Sequence, residues 1–278
     1  MATSYHLLRK LFKLVVQTIQ TALSQLEQRK NIRILFACEM GSQVFGLAHP
    51  ESDLDVRFIY AHSTDWYLSL KNQKDTVHFT DGNLDLVGWD LRKVLQLLKK
   101  GNVTVLEWLQ SATVYKEIPG FLPAFRRLAQ QCYSPNNANF HYLALAKKFS
   151  ATTEPGRQMN RKDLLMAIRA SIYLQQIYRN PSFPQQSPDK LVQQLPQDAQ
   201  RELRQLTEAD EHAAIIKGQF PAIFEFVHEI IQTAEARKTT LPGNRVNMLE
   251  MDNFFKKMIS NSTKKESRRP RRNRTQTV

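Results

Sequence analysis

The sequence predicts an α+β (α/β) protein, with an N-terminal unit of strands and helices and a C-terminal half that is almost wholly helical. Two observations support this division. Apolar residues recur at spacings of three and four between Ser4 and Arg29, and short runs rich in β-branched residues follow them. From about Leu122 onward the helical spacing returns, and only polar or proline-rich segments interrupt it.

The N-terminal unit alternates buried strands with helices. Apolar runs predict strands at 32–38, 53–60 and 84–89, whereas helical spacing predicts helices at 4–29, 91–100 and 103–109 and a helical turn at 43–47. We interpret Asp90 as the N-cap of the second helix, because an Asp side chain readily accepts hydrogen bonds from N–H groups of a first helical turn.

The C-terminal half is predicted to contain six helices, at 123–131, 137–150, 161–179, 199–209, 222–236 and 248–259. Residues 180–188 contain three prolines and are predicted to form a loop. We therefore predict a first domain at 1–120, a helical domain at 121–260 and a disordered basic tail at 261–278, since the composition there is charged and of low complexity.

The composition restricts the classes of protein that the chain can belong to. Hydrophobic residues make up 42% of 278 residues, which suffices for a sizeable core, and no apolar run is long enough to span a membrane. Cys38 and Cys132 are too few for a disulfide scaffold or a cysteine zinc site, and the N-terminus does not resemble a signal peptide. We expect a cytoplasmic protein with no membrane partner.

The chain is strongly basic, with a formal net charge of +13. Part of this charge is local, because seven Lys and Arg residues and one Glu lie between Lys264 and Arg274. The remainder of the chain is also basic. A positive charge favours polyanionic partners such as nucleoside triphosphates and RNA, although a basic tail is also a common solvated arm.

Two carboxylates, Asp53 and Asp55, begin the second predicted strand. Side chains at positions i and i+2 point to the same face, so both lie on one face, whereas the opposite face from Leu54 to Tyr60 is apolar. Two neighbouring carboxylates repel each other unless they are solvated or share a cation. Carboxylate oxygens are natural ligands of Mg²⁺, so the pattern favours a magnesium site.

Asp85 supplies a third carboxylate at the start of the next predicted strand, and its alternation places it outward while Leu84 and Leu86 point inward. Three such carboxylates on neighbouring strand ends can hold two Mg²⁺ ions, which stabilise the attacking and leaving oxygens in phosphoryl transfer. An alternative is that Asp85 only closes the turn at 81–83. Asp90 is the rival third carboxylate, but its parity is opposite to that of Asp85 and its position suits a helix cap.

Gly41 and Ser42 follow the first predicted strand. A glycine lets the backbone approach a phosphate closely, and exposed N–H groups and a serine hydroxyl can donate hydrogen bonds to phosphate oxygens. Each short motif is weak by itself. The order of a strand, Gly-Ser, about ten residues and then Ser-Asp-x-Asp opening a second strand is far more specific.

The motifs Glu39-x-Gly41-Ser42-x-x-x-Gly46 and Ser52-Asp53-Leu54-Asp55-Val56-Arg57-Phe58-Ile59-Tyr60 resemble the DNA polymerase beta nucleotidyltransferase superfamily. Within it, the chain is most similar to the RNA-repair-associated branch, because the similarity continues from Asp85 to Lys93, through Gly101-Asn102 and Glu107-Trp108-Leu109, and from Ser111 to Tyr115. A weaker similarity reaches 162–169 and 181–195, so that the resemblance covers roughly residues 30–195.

The resemblance implies an N-terminal polymerase-beta-type catalytic domain, in which a small mixed sheet is flanked by helices, and a helical domain that contacts nucleotide or substrate. It implies that Gly41 and Ser42 bind the triphosphate, and that Asp53, Asp55 and Asp85 bind two Mg²⁺ ions, for which Mn²⁺ can substitute. Met40 and Gln43 depart from the branch, which commonly has Ser and Arg at these positions. The missing Arg removes one phosphate donor.

Several further residues have two interpretations. Arg57 either pairs with an Asp or contacts phosphate, and Lys162 and Arg169, on one helix face, either reach nucleotide phosphates or are solvated. Glu39 either has a structural role or assists metal binding. The aromatic residues Trp89, Trp108 and Tyr115 fit a core better than a base-stacking platform.

These observations predict a Mg²⁺-dependent nucleotidyltransferase that transfers a nucleoside monophosphate from a nucleoside triphosphate, such as ATP, to an acceptor hydroxyl and releases pyrophosphate. The basic charge and the resemblance favour an RNA 3′ end as acceptor. One alternative is nucleotidylation of a small molecule or a protein. Another is a non-catalytic nucleic-acid-binding module on a polymerase-beta scaffold, against which the three carboxylates argue.

Overall fold

The computed structural model describes residues 2–45, 52–71, 73–150, 159–182, 187–210, 214–215, 218–237 and 246–266. Five strands form one sheet: β1 (Arg33–Glu39), β2 (Leu54–Ala61), β3 (Thr76–Asp81), β4 (Leu84–Asp90) and β5 (Val114–Glu117). The helices of the N-terminal part are α1 (Ala2–Lys30), a short 3-10 helix (Gln43–Phe45), α2 (Thr64–Leu68), α3 (Leu91–Lys99) and α4 (Val103–Trp108). The later helices are α5 (Phe121–Cys132), α6 (Pro135–Ser150), α7 (Arg161–Arg179), α8 (Pro188–Val192), α9 (Gln197–Glu208), α10 (Pro221–Arg237) and α11 (Met248–Glu266).

The sheet is mixed, with the strand order β3-β4-β2-β1-β5. β2 and β4 are parallel neighbours in the centre, whereas β1 pairs antiparallel with β2 and β5, and β3 pairs antiparallel with β4. In the part of the chain that the structure describes, β3 is therefore an edge strand. This arrangement confirms the predicted mixed sheet with flanking helices.

Each face of the sheet packs against a different set of helices. On one face, the inward residues of β2 and β4, among them Val56, Phe58 and Leu86, form a core with Ile19 and Leu23 of α1. The opposite face carries Asp55, Asp85 and Arg57 at one end and Ile59 and Ala61 at the other, where a second core begins. Strand alternation places all of these residues on one face, and the residue types make that face polar where β2 and β4 begin and apolar farther along.

The second core continues from the sheet into the helical half without a break. It contains Ile59 of β2, Leu98 of α3, Phe125 of α5 and Ile168 of α7 in one cluster. The last helix returns to the N-terminal part, because α11 packs on α2, α3 and β2, and the Arg33 guanidinium donates to the carbonyl oxygen of Met258. The division between domains at residue 120 remains a prediction.

Most helices and three strands agree with the sequence-based predictions to within a few residues. The helix predicted at 161–179 has those bounds, and the turn predicted at 43–47 contains the 3-10 helix, although residues 46 and 47 lie outside the described residues. Strands β3 and β5 and the short helices α2 and α8 were not predicted. The last helix continues to Glu266, so the predicted basic tail begins inside it, and residues 267–278 lie outside the described residues.

No helix among the described residues is both long enough and apolar enough to cross a membrane. Both cysteines are buried as thiols, and burial raises the pKa of Cys132 to about 11. Both therefore act as small core residues.

Asp90 caps α3, as the sequence predicts. Its Oδ1 accepts a hydrogen bond from the Arg92 N–H at 2.8 Å, and its Oδ2 accepts one from the Tyr67 hydroxyl at 2.6 Å. The carboxylate is almost completely buried, and this burial raises its pKa even though both hydrogen bonds favour the charged form. Asp90 therefore joins the start of α3 to α2.

We predict that Asp90→Ala lowers the free energy of unfolding by about 2 kcal/mol, because a helix loses its cap and a buried hydroxyl loses its acceptor. Asp90→Asn should lower it by less, since the amide oxygen still accepts a hydrogen bond. Urea denaturation of both variants, with Tyr67→Phe as a control for the hydroxyl alone, measures the difference. Equal losses in Asp90→Ala and Asp90→Asn would contradict the capping role.

Candidate functional site

Two carboxylates meet at the polar end of the sheet. Asp55 and Asp85 are register partners on the parallel strands β2 and β4, and their side chains are each about one quarter exposed. Neighbouring strands lie only about 4.8 Å apart, so two such carboxylates repel each other strongly unless a cation separates them. Strand alternation and register together place them side by side.

The Arg57 guanidinium is the cation that lies between these carboxylates. One nitrogen, Nη2, is 2.7 Å from Asp55 Oδ1, and the other, Nη1, is 2.9 Å from Asp85 Oδ2. Nη1 is also 3.3 Å from the carbonyl oxygen of Asp85. Of the two sequence-based interpretations of Arg57, this structure shows the ion pair with Asp.

His78 of the edge strand β3 also contacts Asp85. Its Nε2 lies 2.7 Å from Asp85 Oδ1, and 62% of the His78 side chain is exposed. Partial burial alone would raise the pKa of Asp85, but the hydrogen bond from His78 and the charge of Arg57 outweigh it, so that the pKa is below its ordinary value. Asp85 is consequently ionised at neutral pH and accepts hydrogen bonds from two sides.

Asp53 precedes β2 and is exposed. It is two residues from Asp55 in the sequence, but among the described residues no three His, Cys, Asp or Glu side chains converge closely enough to hold a metal ion. Arg57 fills the space between the other two carboxylates. The metal site of Asp53, Asp55 and Asp85 therefore stays a prediction.

Gly41 forms a tight turn against Asp55. Its φ is +72°, a left-handed conformation that favours glycine, and a Cβ at this position would lie 2.1 Å from Asp55 Oδ2. The preceding Met40 N–H donates to the carbonyl oxygen of Asp55 at 2.7 Å. The loop after β1 is thus held beside the carboxylates, where its backbone can approach a ligand closely.

Ser42 and Gln43 continue this turn into the 3-10 helix, and both side chains are half-buried. The short helix α8 of the C-terminal half packs against the 3-10 helix. The predicted phosphate-binding loop therefore has the sheet on one side and the helical half on the other. Gly46, the last glycine of the motif, lies outside the described residues.

Residues 15–257 match the family RlaP, described as the RNA repair pathway DNA polymerase beta family. The chain belongs to the RlaP family. This membership confirms the resemblance that the Gly-Ser and Asp-x-Asp motifs indicate, and it covers most of the chain.

Two further proteins are similar to this RlaP family member. The uncharacterized protein YcgL of Bacillus subtilis (strain 168) is 28% identical over 218 residues, which are 78% of this chain and 84% of YcgL. Among solved structures, a nucleotidyltransferase-like protein from Exiguobacterium sibiricum 255-15 is 10% identical and has a TM-score of 0.30, with 87% of this chain and 80% of that chain covered.

The two cations predicted in the helical half of this RlaP protein have different surroundings. Lys162 is exposed at the start of α7, whereas Arg169 forms an ion pair with the buried carboxylate of Glu107. The Tyr142 hydroxyl donates to the other oxygen of Glu107 at 2.9 Å. Burial lowers the pKa of Arg169, but the charge and hydrogen bond of Glu107 together with the neighbouring Tyr173 and Tyr142 outweigh it, so that the pKa is raised. The structure thus shows a structural partner for Arg169, and nucleotide binding by either residue stays a prediction.

Glu39 and the aromatic residues have the structural contacts that the sequence favours. The Tyr115 hydroxyl donates to Glu39 Oε1 at 2.8 Å. Trp89 packs on the buried Trp108 with ring centroids 4.5 Å apart. His78 is the one residue of the site that the sequence analysis missed, although the alternation of Thr76, His78 and Thr80 with apolar residues before an Asp-Gly turn is a hairpin signal.

We predict that Gly41→Ala destabilises the protein more than Gly120→Ala does. Both glycines have positive φ values, +72° and +76°, so each substitution carries a strain of about 1–2 kcal/mol. A Cβ at Gly120 meets nothing within 4 Å, whereas one at Gly41 collides with Asp55 and should add about 1–3 kcal/mol. Chemical denaturation of the two variants measures the difference, and equal losses would show that Gly41 is not packed against Asp55.

Proposed function

We propose that this RlaP protein is a Mg²⁺-dependent nucleotidyltransferase that transfers a nucleoside monophosphate from a nucleoside triphosphate to an RNA 3′ hydroxyl. The observation that carries the proposal is the pair Asp55 and Asp85 in register on parallel strands, with the Gly41 turn packed directly against Asp55. Membership of a polymerase beta family linked to RNA repair supports the same reaction class.

The carboxylates at this end of the sheet are of the chemical type that binds divalent cations, and they would have to converge on the ions once Arg57 turns away. Their donor set is oxygen only, from Asp55, Asp85 and the exposed Asp53, which is the set that Mg²⁺ prefers and Mn²⁺ also accepts. The Arg57 guanidinium already lies between two of these carboxylates, so the position accommodates positive charge. When bound, the metal ions would neutralise the charge that develops on the phosphoryl oxygens and on the attacking oxygen.

Residues of the chain itself would bind and orient the triphosphate and would deprotonate the acceptor hydroxyl. Backbone N–H groups of the Gly41 turn and the Ser42 hydroxyl would donate to the triphosphate, because this loop has no side chain at Gly41 to keep a phosphate away. Arg57 would turn from the carboxylates to the phosphates, where its forked donors match phosphate geometry. Asp85, which is ionised, would accept the proton of the acceptor hydroxyl as that oxygen bonds to the α-phosphorus and pyrophosphate leaves.

The order of the strands suggests that the two substrates would lie on opposite sides of β2. The Gly41 turn belongs to β1, on one side of β2, whereas Asp85 belongs to β4 on the other side, with β3 as the edge beyond it. The triphosphate would therefore lie toward β1, and the acceptor would approach over β4 and β3. The formal net charge of +13 favours a polyanionic acceptor such as RNA over a neutral small molecule.

The test is a transfer assay with α-labelled ATP, CTP, GTP and UTP, each with Mg²⁺ and total RNA. We expect label in RNA with the wild-type chain, and a loss of at least about 100-fold in the double variant Asp53→Ala and Asp55→Ala, because the metal ligands are gone. A matched control removes two exposed carboxylates elsewhere, Asp65→Ala and Asp252→Ala. This control should retain transfer.

Two outcomes would contradict the proposal. The first is no transfer from any nucleotide to RNA alongside salt-sensitive RNA binding, which would favour the non-catalytic nucleic-acid-binding module. The second is label on protein or on a small acceptor and none on RNA, which would retain the nucleotidyltransferase chemistry and reject the RNA 3′ end.

A further inference from the structure

The face of β3 and β4 beyond Asp85 is open to solvent at the edge of the sheet. Pairing in the β3–β4 hairpin places His78 opposite Val87 and Thr76 opposite Trp89, on the same face as Asp85. These residues are exposed or half-buried, while their neighbours Val77 and Phe79 pack on the opposite face against the core of α1. A half-exposed strip therefore runs from the carboxylates along β4.

The strip ends in a polar hollow of about 230 Å³ between α2 and the start of α3. Three cations, Lys71, Arg92 and Lys93, line the hollow together with the amides of Gln73 and Gln96 and the ring of Trp66. The carboxylates that also line it are engaged, because Asp75 pairs with Lys93 at 2.9 Å and Asp90 caps α3. The hollow therefore combines cationic donors, amide groups and an indole.

The three cations are held in different ways. Lys93 Nζ donates to Thr76 Oγ1 at 2.7 Å and lies 5.7 Å from the centre of the Trp89 ring, which places it where the strip meets the hollow. The Arg92 guanidinium lies 4.7 Å from the centre of the Tyr67 ring and is exposed. Lys71 is exposed, and no described residue forms an ion pair with it.

We propose that this strip and hollow bind the single-stranded segment of the acceptor RNA that precedes the reacting 3′ end. This inference depends on the proposed function in one respect only, namely that the reacting group is the 3′ end of the RNA. Cations that follow a backbone beside an aromatic ring with one accessible face are the combination that binds single-stranded nucleic acid, and Trp66 is partly exposed. Lys93, Arg92 and Lys71 contact phosphates, and Trp66, whose ring is stacked on His62 at 3.9 Å, offers a platform for a base.

The length of the strip along β4 fits a short segment of single-stranded RNA. Asp85 and Asp90 are five residues apart on β4, which corresponds to about 17 Å at about 3.3 Å per residue. A stacked single strand with a rise of about 3.4 Å per nucleotide covers that distance with about five nucleotides. The terminal hydroxyl would then lie at Asp85 beside His78, and the phosphates upstream would reach the hollow.

A larger groove of about 570 Å³ between α2, α3 and α11 adjoins the hollow, but its lining is mainly apolar, with Met251, Phe255 and Ile259. The groove also has three cations, Arg92, Lys99 and Lys256, of which Arg92 is shared with the hollow. The hollow differs in that most of its lining is polar, which suits a phosphate backbone, so we place the RNA there and make no assignment for the groove.

The experiment measures the binding of a fluorescein-labelled 12-nucleotide single-stranded RNA by anisotropy between 50 and 200 mM salt. The variant is Lys71→Gln, Arg92→Gln and Lys93→Gln. Each lost phosphate contact removes about 0.7 from the slope of log affinity against log salt for a single strand, so we expect the slope to fall by about 2 and the affinity at low salt to fall at least about tenfold. Circular dichroism confirms that the variant is folded.

A matched control removes three cations from the exposed surface of the helical half, Lys148→Gln, Arg201→Gln and Arg204→Gln. Because Lys93 and Arg92 also have structural contacts, a second variant changes only exposed lysines near the hollow, Lys71→Gln and Lys74→Gln. It should lose about two- to fourfold in affinity. A further variant, Trp66→Leu, should weaken binding about tenfold at all salt concentrations, because stacking does not depend on counterion release.

The inference is overturned if the hollow variant binds the RNA as tightly as the control, or if both lose affinity equally, since binding would then be diffuse. Failure of the proposed function would give different results from failure of the RNA-binding surface. If the wild-type chain transfers no label but RNA binding still maps to the hollow, the surface stands and the chemistry fails. If transfer occurs but RNA binding is indifferent to the hollow, the chemistry stands and the surface fails.

Discussion

The contact of the Arg57 guanidinium with Asp55 and Asp85 is the interaction on which the site depends. Two carboxylates in register on neighbouring parallel strands repel each other, since like charges 4 Å apart interact with about 1 kcal/mol in water and about 4 kcal/mol near a protein surface, and a cation between them relieves this repulsion. Arg57 supplies that charge, and His78 adds a second hydrogen bond to Asp85. The pair therefore already has a cation beside it, and a metal ion can take that place only when Arg57 turns away.

The position of this charged cluster follows from the sheet. Parallel pairing of β2 with β4 aligns Asp55 with Asp85, and the antiparallel β1 brings the Gly41 turn to the same end. Along this one face of β2 the polar end passes into the core, since Ile59 and Ala61 are buried. The same strand order leaves β3 as an edge, so one side of the cluster meets the phosphate-binding loop and the other side opens to an acceptor. Fold and proposed chemistry therefore share one cause, the order and register of the strands.

The sequence predicts the central strands of the mixed sheet, most helices and the face of β2 that carries Asp55 and Arg57, because each is encoded by local alternation or helical spacing. It also predicts the cap at Asp90, since an Asp directly before a helix is a local signal. It does not predict that Arg57 bridges β2 and β4, because register between strands distant in sequence is decided by tertiary packing. His78 is a different case, since β3 and β4 form a local hairpin and the alternation before the Asp-Gly turn could have identified it. Arg169 shows the same limit as Arg57, since its partner Glu107 lies 62 residues away.

In the proposed mechanism, metal ions take the place that the Arg57 guanidinium occupies beside Asp55 and Asp85. The most direct measurement is anomalous diffraction from crystals grown with Mn²⁺ and a non-hydrolysable nucleoside triphosphate. Our account predicts Mn²⁺ peaks within coordination distance of Asp53, Asp55 and Asp85, with the triphosphate on the Gly41 turn and Arg57 turned toward the phosphates. Mn²⁺ bound elsewhere, with Arg57 still bridging Asp55 and Asp85 while the nucleotide is present, would contradict it.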